Sequence, residues 1–242
     1  NGALNNIGIG YAALSKVTSG DSNVAVGFQA GPNLTTSGEN TLIGSEAGYD
    51  LTGTESVLIG SRAGYNLAGV NGNVAIGRYA LYNSTAAVDC VVIGRQAMYA
   101  GSGTALGTIA IGKNALLNLS SGTGNLAIGY ESMDAMTVGI SNVALGYGTL
   151  SAEVEGQYNT AIGYQALRDQ NAGGSDGSNT TTANTALGWR AGYQLTTGTN
   201  NTFLGRSAGD VVETGTNNVI IGSLSDPSAN NGTNQIVIGY NT

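Results

Sequence analysis

A short hydrophobic segment recurs throughout the chain, and each copy ends in a glycine that we call the anchor glycine. The residue before the anchor glycine is always Ile, Leu or Val, and another β-forming residue stands two positions before that one. Because side chains alternate along a strand, these two residues share one face, and the residue between them, often alanine, occupies the other. The pattern predicts one short strand per copy, tightly packed on both faces. The anchor glycines are Gly10, Gly27, Gly44, Gly60, Gly77, Gly94, Gly112, Gly129, Gly146, Gly163, Gly188, Gly205, Gly222 and Gly239.

The spacing of the anchor glycines predicts the fold. It is 17 residues in ten of the thirteen intervals between them. A unit this short cannot bury its apolar side chains alone, so neighbouring copies must stack. We therefore predict an all-β parallel β-solenoid, or β-roll, of about fourteen 17-residue turns, with residues 1–242 forming a single repetitive domain.

Asparagine stands four residues before the anchor glycine in ten of the fourteen copies, and we call this position the asparagine column. Asparagine tolerates the left-handed backbone conformation and bonds nearby backbone groups, which favours a corner of the turn. Stacked amides also bond one another in ladders. The sequence predicts such a ladder along the solenoid.

Aromatic residues favour two further positions. The first, directly after the anchor glycine, is the +1 column, and the second, five residues after it, is the +5 column. We expect the two columns to fill neighbouring space and to stack along the chain, with a sugar-binding surface as the alternative interpretation. Aromatic members of the +1 column are Tyr11, Phe28, Tyr130, Tyr147, Tyr164, Trp189 and Tyr240; tyrosines of the +5 column are Tyr49, Tyr65, Tyr82, Tyr99 and Tyr193.

Composition and charge exclude several classes of protein. The chain has 40 glycines, 10% charged residues, no histidine and a net charge of −7, which argues against a nucleic-acid partner. No apolar run is long enough to predict insertion into a membrane. The lone Cys90 cannot form an intrachain disulfide, and the chain lacks His and Cys ligands for a zinc site. The sequence predicts no cofactor.

Motifs that resemble catalytic signatures coincide with the repeat. Gly205–Gly209 fits the G-x-S-x-G nucleophile motif, but no histidine exists to act as base for Ser207. Residues 8–13 and 122–127 match a loose dinucleotide-binding pattern, and neither is predicted to open a helix, as a phosphate site of that kind requires. We therefore predict that the chain is not an enzyme and has no catalytic residue.

Two pairs of carboxylates keep glycoside hydrolysis open as a distant alternative. They are Glu131 with Asp134 and Glu153 with Glu155, and each pair occurs once, in a predicted loop. Solvated loop charge is the interpretation that the sequence favours.

One interval, between Gly163 and Gly188, is eight residues longer than the usual turn, which predicts a loop insertion over residues 168–183. Insertions in solenoids form surface loops, often on a binding face. Asp169, Asn171, Asp176 and Asn179 are the candidate surface-binding residues of this loop. The oxygens of Asp169, Asn171 and Asp176 are also potential Ca²⁺ ligands, and the alternative is a flexible polar bulge.

The repeat resembles those of known fibrous proteins. Asn73–Gly77, Asn125–Gly129 and Asn159–Leu167 are similar to the Asn-x-x-Ile-Gly repeats of trimeric autotransporter adhesin heads. They are more similar to repeats of phage tail fibres that precede a self-cleaving, endosialidase-type chaperone domain. The resemblance covers essentially the whole chain, although the adhesin repeats are shorter. It implies a left-handed parallel β-roll, three chains around one axis, and attachment to a surface.

The sequence therefore favours a structural fibre segment of a surface appendage, a phage tail fibre or bacterial adhesin, that serves attachment to a cell surface. Alanine columns leave each chain a thin core, so we expect a homotrimer, with a cell-surface glycan or protein as receptor. We expect an extracellular location, on a virion or a cell. Because repeats reach both ends without a cap, we also expect the native chain to continue in both directions.

The alternative is an ice- or glycan-binding solenoid, which requires a regular array of threonine or aromatic side chains. Thr41, Thr160, Thr185 and Thr202 share one position of the repeat, whereas most copies have Val or Ile there. A fibre-borne glycan hydrolase is a third, more distant alternative.

Overall fold

The computed structural model describes residues 2–101, 103–172 and 180–242, and these residues contain eighteen short strands and no helix. Consequently, no described segment is a helix of the length and hydrophobicity needed to cross a bilayer. The first nine strands are β1 (Ile7–Ile9), β2 (Val24–Val26), β3 (Thr41–Ile43), β4 (Val57–Ile59), β5 (Val74–Ile76), β6 (Ala86–Val88), β7 (Val91–Ile93), β8 (Thr104–Leu106) and β9 (Ile109–Ile111). The others are β10 (Leu126–Ile128), β11 (Val143–Leu145), β12 (Gly156–Gln157), β13 (Thr160–Ile162), β14 (Thr180–Thr181), β15 (Thr185–Leu187), β16 (Thr202–Leu204), β17 (Val219–Ile221) and β18 (Ile236–Ile238).

The chain forms two compact units, Asn1–Thr123 and Gly124–Thr242. In the first unit, β1 to β5, β7 and β9 pair in parallel in that order, and β6 pairs with β8. In the second unit, β10, β11, β13 and β15 to β18 pair in parallel, and β12 pairs with β14. Sequential parallel pairing within each unit is the topology that the repeat predicts.

Equivalent repeat positions lie opposite one another. Val24, Ala25 and Val26 pair with Thr41, Leu42 and Ile43, which stand 17 residues further along the chain. The predicted all-β parallel β-solenoid with a spacing of about 17 residues is thus confirmed. It has about 13 turns rather than fourteen, since fourteen repeat strands are separated by thirteen intervals.

The middle residue of each main-sheet strand points into the core of its unit, and we call this position the central column. From β2 to β17 these residues are fully buried, and they range from Ala75 and Ala161 to Leu42 and Phe203. The residues on either side, which we call the flanking columns, point away from the core and are half-buried or exposed, as in the pattern of Val74 and Ile76. The expectation that both faces pack tightly is therefore wrong for the isolated chain, since only the central column is enclosed.

The anchor glycines are required because the backbones of successive turns approach closely. Gly129 has a φ of 143°, and a Cβ placed there would lie 2.1 Å from the carbonyl oxygen of Gly146. Gly94 shows the same relationship to Gly112, with a distance of 2.4 Å. No L side chain fits such a position, because the overlap is with backbone of the next turn and φ lies in a region that favours glycine.

The asparagine column forms the predicted ladder. Asn142 donates from Nδ2 to Oδ1 of Asn125 (3.2 Å) and to the carbonyl oxygen of Gly156 (2.8 Å). Its Oδ1 accepts bonds from the backbone N–H (2.9 Å) and Nδ2 (3.0 Å) of Asn159. These side chains are almost completely buried, so the ladder satisfies polar groups that would otherwise be costly in the core. The left-handed backbone falls one residue earlier, as at Ser141 (φ 55°), and not on the asparagine as predicted.

Candidate functional site

The second unit contains a cavity of about 290 Å³ that opens on the surface of the solenoid. It spans three successive turns, those of β10, β11 and β13, and its lining comes from the corner that follows each anchor glycine. Most of its lining side chains are polar. The lining residues are Glu131, Asp134, Tyr147, Gly148, Ser151, Ala152, Gln165, Arg168 and Asp169.

The cavity occurs where the +5 column loses its tyrosines. In the first unit Tyr49, Tyr65, Tyr82 and Tyr99 stack at centroid distances of 4.9, 5.2 and 5.1 Å. The three turns around the cavity instead have Asp134, Ser151 and Arg168 at this position. Smaller or polar side chains thus replace a continuous aromatic stack and leave a space at the surface.

Aromatic side chains of the +1 column form one side of this region. Tyr130, Tyr147, Tyr164 and Trp189 stack in sequence, with centroids 5.1, 5.2 and 6.4 Å apart and planes within 15° of parallel. All four are exposed by more than a third of their surface, and Tyr147 lines the cavity itself. The predicted aromatic stacking is confirmed for these residues, and their exposure gives the cavity an apolar rim.

Arg168 and Asp169 form the end of the cavity nearest to the loop insertion. Arg168 donates from Nε and Nη2 to the two carboxylate oxygens of Asp169 (2.6 and 2.9 Å). Its guanidinium carbon lies 4.0 Å from the ring centroid of Tyr193, the one aromatic +5 residue of the second unit. A guanidinium held by a bidentate carboxylate and an aromatic face has little freedom, so this end of the cavity is rigid.

Carboxylates give the cavity an acidic character. Partial burial raises the pKa of Asp134 to about 6, and the nearby Glu131 carboxylate contributes to this increase. The bond to Asp169 raises the pKa of Arg168, so this guanidinium stays charged. Since Asp169 neutralises Arg168, Glu131 and Asp134 determine the net charge of the cavity at neutral pH.

Glu153, from the second carboxylate pair, is part of the hydrogen-bonded framework of its turn. Glu153 is fully buried and accepts bonds from the backbone N–H groups of Val154, Glu155 and Gly156 (3.1, 3.2 and 2.7 Å). Gln170 donates to its other oxygen (2.8 Å). These four donors satisfy the two carboxyl oxygens, so Glu153 holds the corner of the turn and is enclosed away from solvent.

The structure places the predicted loop residues in different surroundings. Asp169 lies in the cavity beside Arg168, whereas Asn171 is exposed and its backbone N–H donates to the carbonyl oxygen of Thr196 (2.9 Å). Asp176 and Asn179 lie outside the described residues. Within the described ranges no group of three or more acidic, His or Cys side chains is arranged to hold a metal ion, so the Ca²⁺ site remains a sequence-based prediction.

The sequence interpretation missed Ser151 and Gln165, which occupy ordinary repeat positions. It considered Asp134 only as part of a carboxylate pair and Arg168 only as the start of the insertion. The interruption of the tyrosine column at Asp134, Ser151 and Arg168 is the signal that could have brought these residues together. Ser207 of the G-x-S-x-G motif is buried at a corner with a φ of 52°, the same conformation that Gln165 and Glu131 adopt at the equivalent position. Its environment is that of a repeat residue.

Comparisons with known proteins identify no relative of this chain. No protein-family model matches the chain, and neither a curated protein nor a solved structure matches it.

Proposed function

We propose that the chain is a structural fibre segment of an extracellular surface appendage that associates as a homotrimer and serves attachment to a cell surface. The observation that carries this proposal is the apolar surface formed by the flanking columns. In the first unit Ile43 is 39% exposed, and in the second unit Leu187 and Leu204 are 45% and 40% exposed. Rows of branched apolar side chains on a regular sheet mark an association surface.

A second copy of the chain is the partner that fits this surface. The flanking columns repeat with the period of the solenoid, so a like surface with the same period matches them turn by turn. Association of copies would remove the exposed Ile, Leu and Val side chains from water, which contributes roughly 25 cal/mol per Å² of apolar area. The resemblance to tail-fibre and adhesin repeats implies that the copies number three and that the solenoid is left-handed.

The mass of the folded protein in solution tests the proposal. We expect sedimentation equilibrium to give three times the chain mass of 24.2 kDa, with no concentration-dependent dissociation in the micromolar range. Leu187→Asp places a charge on the flanking surface and should shift the mass towards the monomer. Thr214→Asp, at an exposed loop residue, is the control and should remain trimeric. A monodisperse wild-type monomer would overturn the proposal.

Glycan binding is the second candidate, and the exposed +1 aromatic stack beside a polar cavity favours it over ice binding. Thr160, Thr185 and Thr202 pair in register in the second unit, but Val143 precedes them and Val219 follows them at the same position. A threonine array of that length is too short for an extended ice-binding surface. Glycan binding is compatible with a role in attachment, since the ligand would be part of the receptor.

A further inference from the structure

Two exposed arginines occupy the +1 column on successive turns of the first unit. They are Arg78 and Arg95, which follow the anchor glycines of β5 and β7 and which we call the arginine pair. The strands before them pair in register, with Ile76 opposite Ile93. The backbone N–H of Gln96 donates to the carbonyl oxygen of Arg78 (3.1 Å), which continues this register beyond the strands. The two arginines are therefore about one strand spacing apart at the backbone, about 4.8 Å.

Neither arginine of the pair forms an ion pair with a carboxylate among the residues that the structure describes. Nη2 of Arg78 donates to the hydroxyl of Tyr79 (3.3 Å), and the Arg95 side chain has no bonded partner in the same described ranges. Lys113, the next residue of the column, has interactions of its own, so Arg78 and Arg95 are the two cations open to a ligand. Like charges directly opposite each other on paired strands are destabilising, and an anion between them would relieve that repulsion.

Tyr79 holds Arg78 against the tyrosine stack of the first unit. The guanidinium carbon of Arg78 lies 4.7 Å from the centroid of the Tyr79 ring. That ring meets Tyr82 and Tyr99 edge to face, with centroids 5.2 and 6.1 Å away. A guanidinium restrained by an aromatic ring loses less conformational freedom when it binds an anion. Arg78 is thus held in place for binding, and Arg95 can turn towards the same anion.

Acidic residues are scarce in this part of the sequence. Between Val57 and Tyr130 the chain has four basic residues and one acidic residue, Asp89, whereas the rest of the chain has four basic and fourteen acidic residues. Asp89 precedes β7 and Arg95 follows it, so the two lie at opposite ends of this strand. The arginine pair therefore belongs to a basic segment of net charge +3 in a chain of net charge −7.

A neighbouring copy of the chain is a poor partner for the arginine pair. In a homotrimer with its copies in register, each turn meets the equivalent turns of the other copies. The turns of Arg78 and Arg95 would then meet turns whose one acidic residue is Asp89, and arginines buried there without an anion would be costly. We therefore expect the pair to face solvent. Guanidinium groups bind carboxylates and phosphates through parallel N–H···O bonds, which makes an oxyanion the matching ligand.

We propose that Arg78 and Arg95 bind an acidic cell-surface polysaccharide, with a carboxylate or phosphate of the polymer between the two guanidinium groups. A polymer fits better than a small ion, because exposed charge pairs bind weakly one at a time and repeated anionic groups can engage the pairs of several copies. This inference rests on the proposed role in attachment and names the class of receptor. It assigns recognition to the first unit rather than to the loop insertion of the second.

The test is isothermal titration calorimetry of the full chain with three polymers that differ in their charged group. Polygalacturonate supplies carboxylates, poly(glycerol phosphate) supplies phosphates, and dextran is the neutral control. We expect saturable binding of at least one acidic polymer and none of dextran, and the acidic polymer that binds more tightly identifies the anionic group. Binding should weaken as NaCl is raised from about 50 to about 300 mM, because salt screens exposed charges.

Arg206 provides the matched control. It is an exposed +1 arginine of the second unit, its Nε donates to Oγ of Ser223 (3.4 Å), and the adjacent +1 residues are Trp189 and Ser223. Arg206→Gln changes the net charge as much as Arg78→Gln or Arg95→Gln does, and it leaves the arginine pair intact. We expect each substitution in the pair to weaken binding at least about threefold and the double substitution at least about tenfold, against less than about twofold for Arg206→Gln.

Three results would overturn the assignment: no saturable binding of either acidic polymer, equal losses for Arg206→Gln and the double variant, or sedimentation of the double variant as a monomer. The last result would show that the arginine pair is a contact between copies. The melting temperature of each variant checks that it is folded. A wild-type trimer that binds neither polymer would reject this inference and leave the proposed fibre role standing. A wild-type monomer that binds through the pair would reject the trimer and leave the site standing.

Discussion

Phe203 and Gly209 are complementary in the core of the second unit. The Phe203 ring is completely buried, and a Cβ placed on Gly209 would lie 2.3 Å from its Cδ1 and 2.4 Å from its Cε1. At the equivalent position the turn of β13 has Leu167, and its central-column residue is Ala161. In these two turns a large residue in one position is thus matched by glycine in the other, and an alanine by leucine, which keeps the core filled.

This relationship predicts that Gly209→Ala is strongly destabilising. The methyl group would overlap the buried ring, and overpacking of this kind costs about 1–3 kcal/mol. Gly69→Ala is a matched control, because Gly69 has a similar φ (68° against 64°) and a Cβ added to it would have no heavy atom within 4 Å. Both variants have the backbone strain, and Gly209→Ala alone has the overlap. Equal losses in urea-induced unfolding would contradict the proposed packing.

The asparagine ladder predicts a large effect of Asn142→Ala. The substitution would leave the backbone N–H of Asn159 without its acceptor and the carbonyl of Gly156 without its side-chain donor, in a fully buried environment. Since each unsatisfied buried polar group costs about 1–3 kcal/mol, we expect a loss of roughly 3 kcal/mol or more. Asn231→Ala, at an exposed loop residue, should change stability by less than about 0.5 kcal/mol. A similar melting temperature for the two variants would argue against the ladder as a stabilising element.

The fold could be predicted from the sequence because the backbone geometry of each turn requires particular residue types at fixed positions of the repeat. A glycine at a fixed spacing is required wherever turns stack as closely as Gly129 and Gly146, and a buried amide is favoured wherever the backbone needs both a donor and an acceptor, as at Asn142. These requirements hold at nearly every turn, so they appear as columns of one residue type. Periodicity alone then predicts parallel strands in register.

The direction of the apolar faces could not be predicted in the same way. Val74 and Ile76 look like core residues by hydrophobicity, and Ala75 looks like a spacer, whereas Ala75 is the buried residue of this strand. Alternation shows which residues share a face but not which face is enclosed. Likewise, the cavity depends on three successive turns that lack tyrosine in the +5 column. A missing residue type is harder to recognise in a sequence than a repeated one.

The loop insertion offers a test of where attachment occurs. A deletion that begins at Gln170 is unsuitable, because Gln170 is buried and bonds both Glu153 (2.8 Å) and Asn184 (3.0 Å). Deletion of residues 173–179 leaves Gln170 and both of its partners in the chain. We expect the shortened protein to keep its melting temperature within a few degrees, because Gln170 and Glu153 keep their buried bonds, and to keep its attachment to target cells. Loss of attachment with an intact fold would assign recognition to the insertion.

The environment of Cys90 predicts a thiol that is inert in the folded chain. Cys90 is buried in the asparagine column, and its Sγ lies 3.4 Å from the carbonyl oxygens of Val88 and Ala105. Burial raises its pKa, so less of the reactive thiolate is present at a given pH. We expect labelling by 5,5′-dithiobis(2-nitrobenzoic acid) at pH 8 to be at least about 100-fold slower than in urea-unfolded chain. Fast labelling of the native protein would show that this turn opens readily.

The raised pKa of Asp134 predicts that stability increases as the pH falls from 7 towards 5. An unfolded aspartate titrates near 3.9, whereas Asp134 titrates at about 6 in the folded chain beside Glu131, Asp169 and Arg168. Between these values the folded state holds a proton that the unfolded state has released, so ionisation above about pH 6 is destabilising. Because Asp134 is half-exposed, solvent screening reduces the effect to on the order of 1 kcal/mol. Asp134→Asn should raise the free energy of unfolding at pH 7 and flatten its dependence on pH, both measured by urea titration from pH 5 to pH 8. A variant with the wild-type slope would show that Asp134 ionises freely and that the cavity is less acidic than its lining indicates.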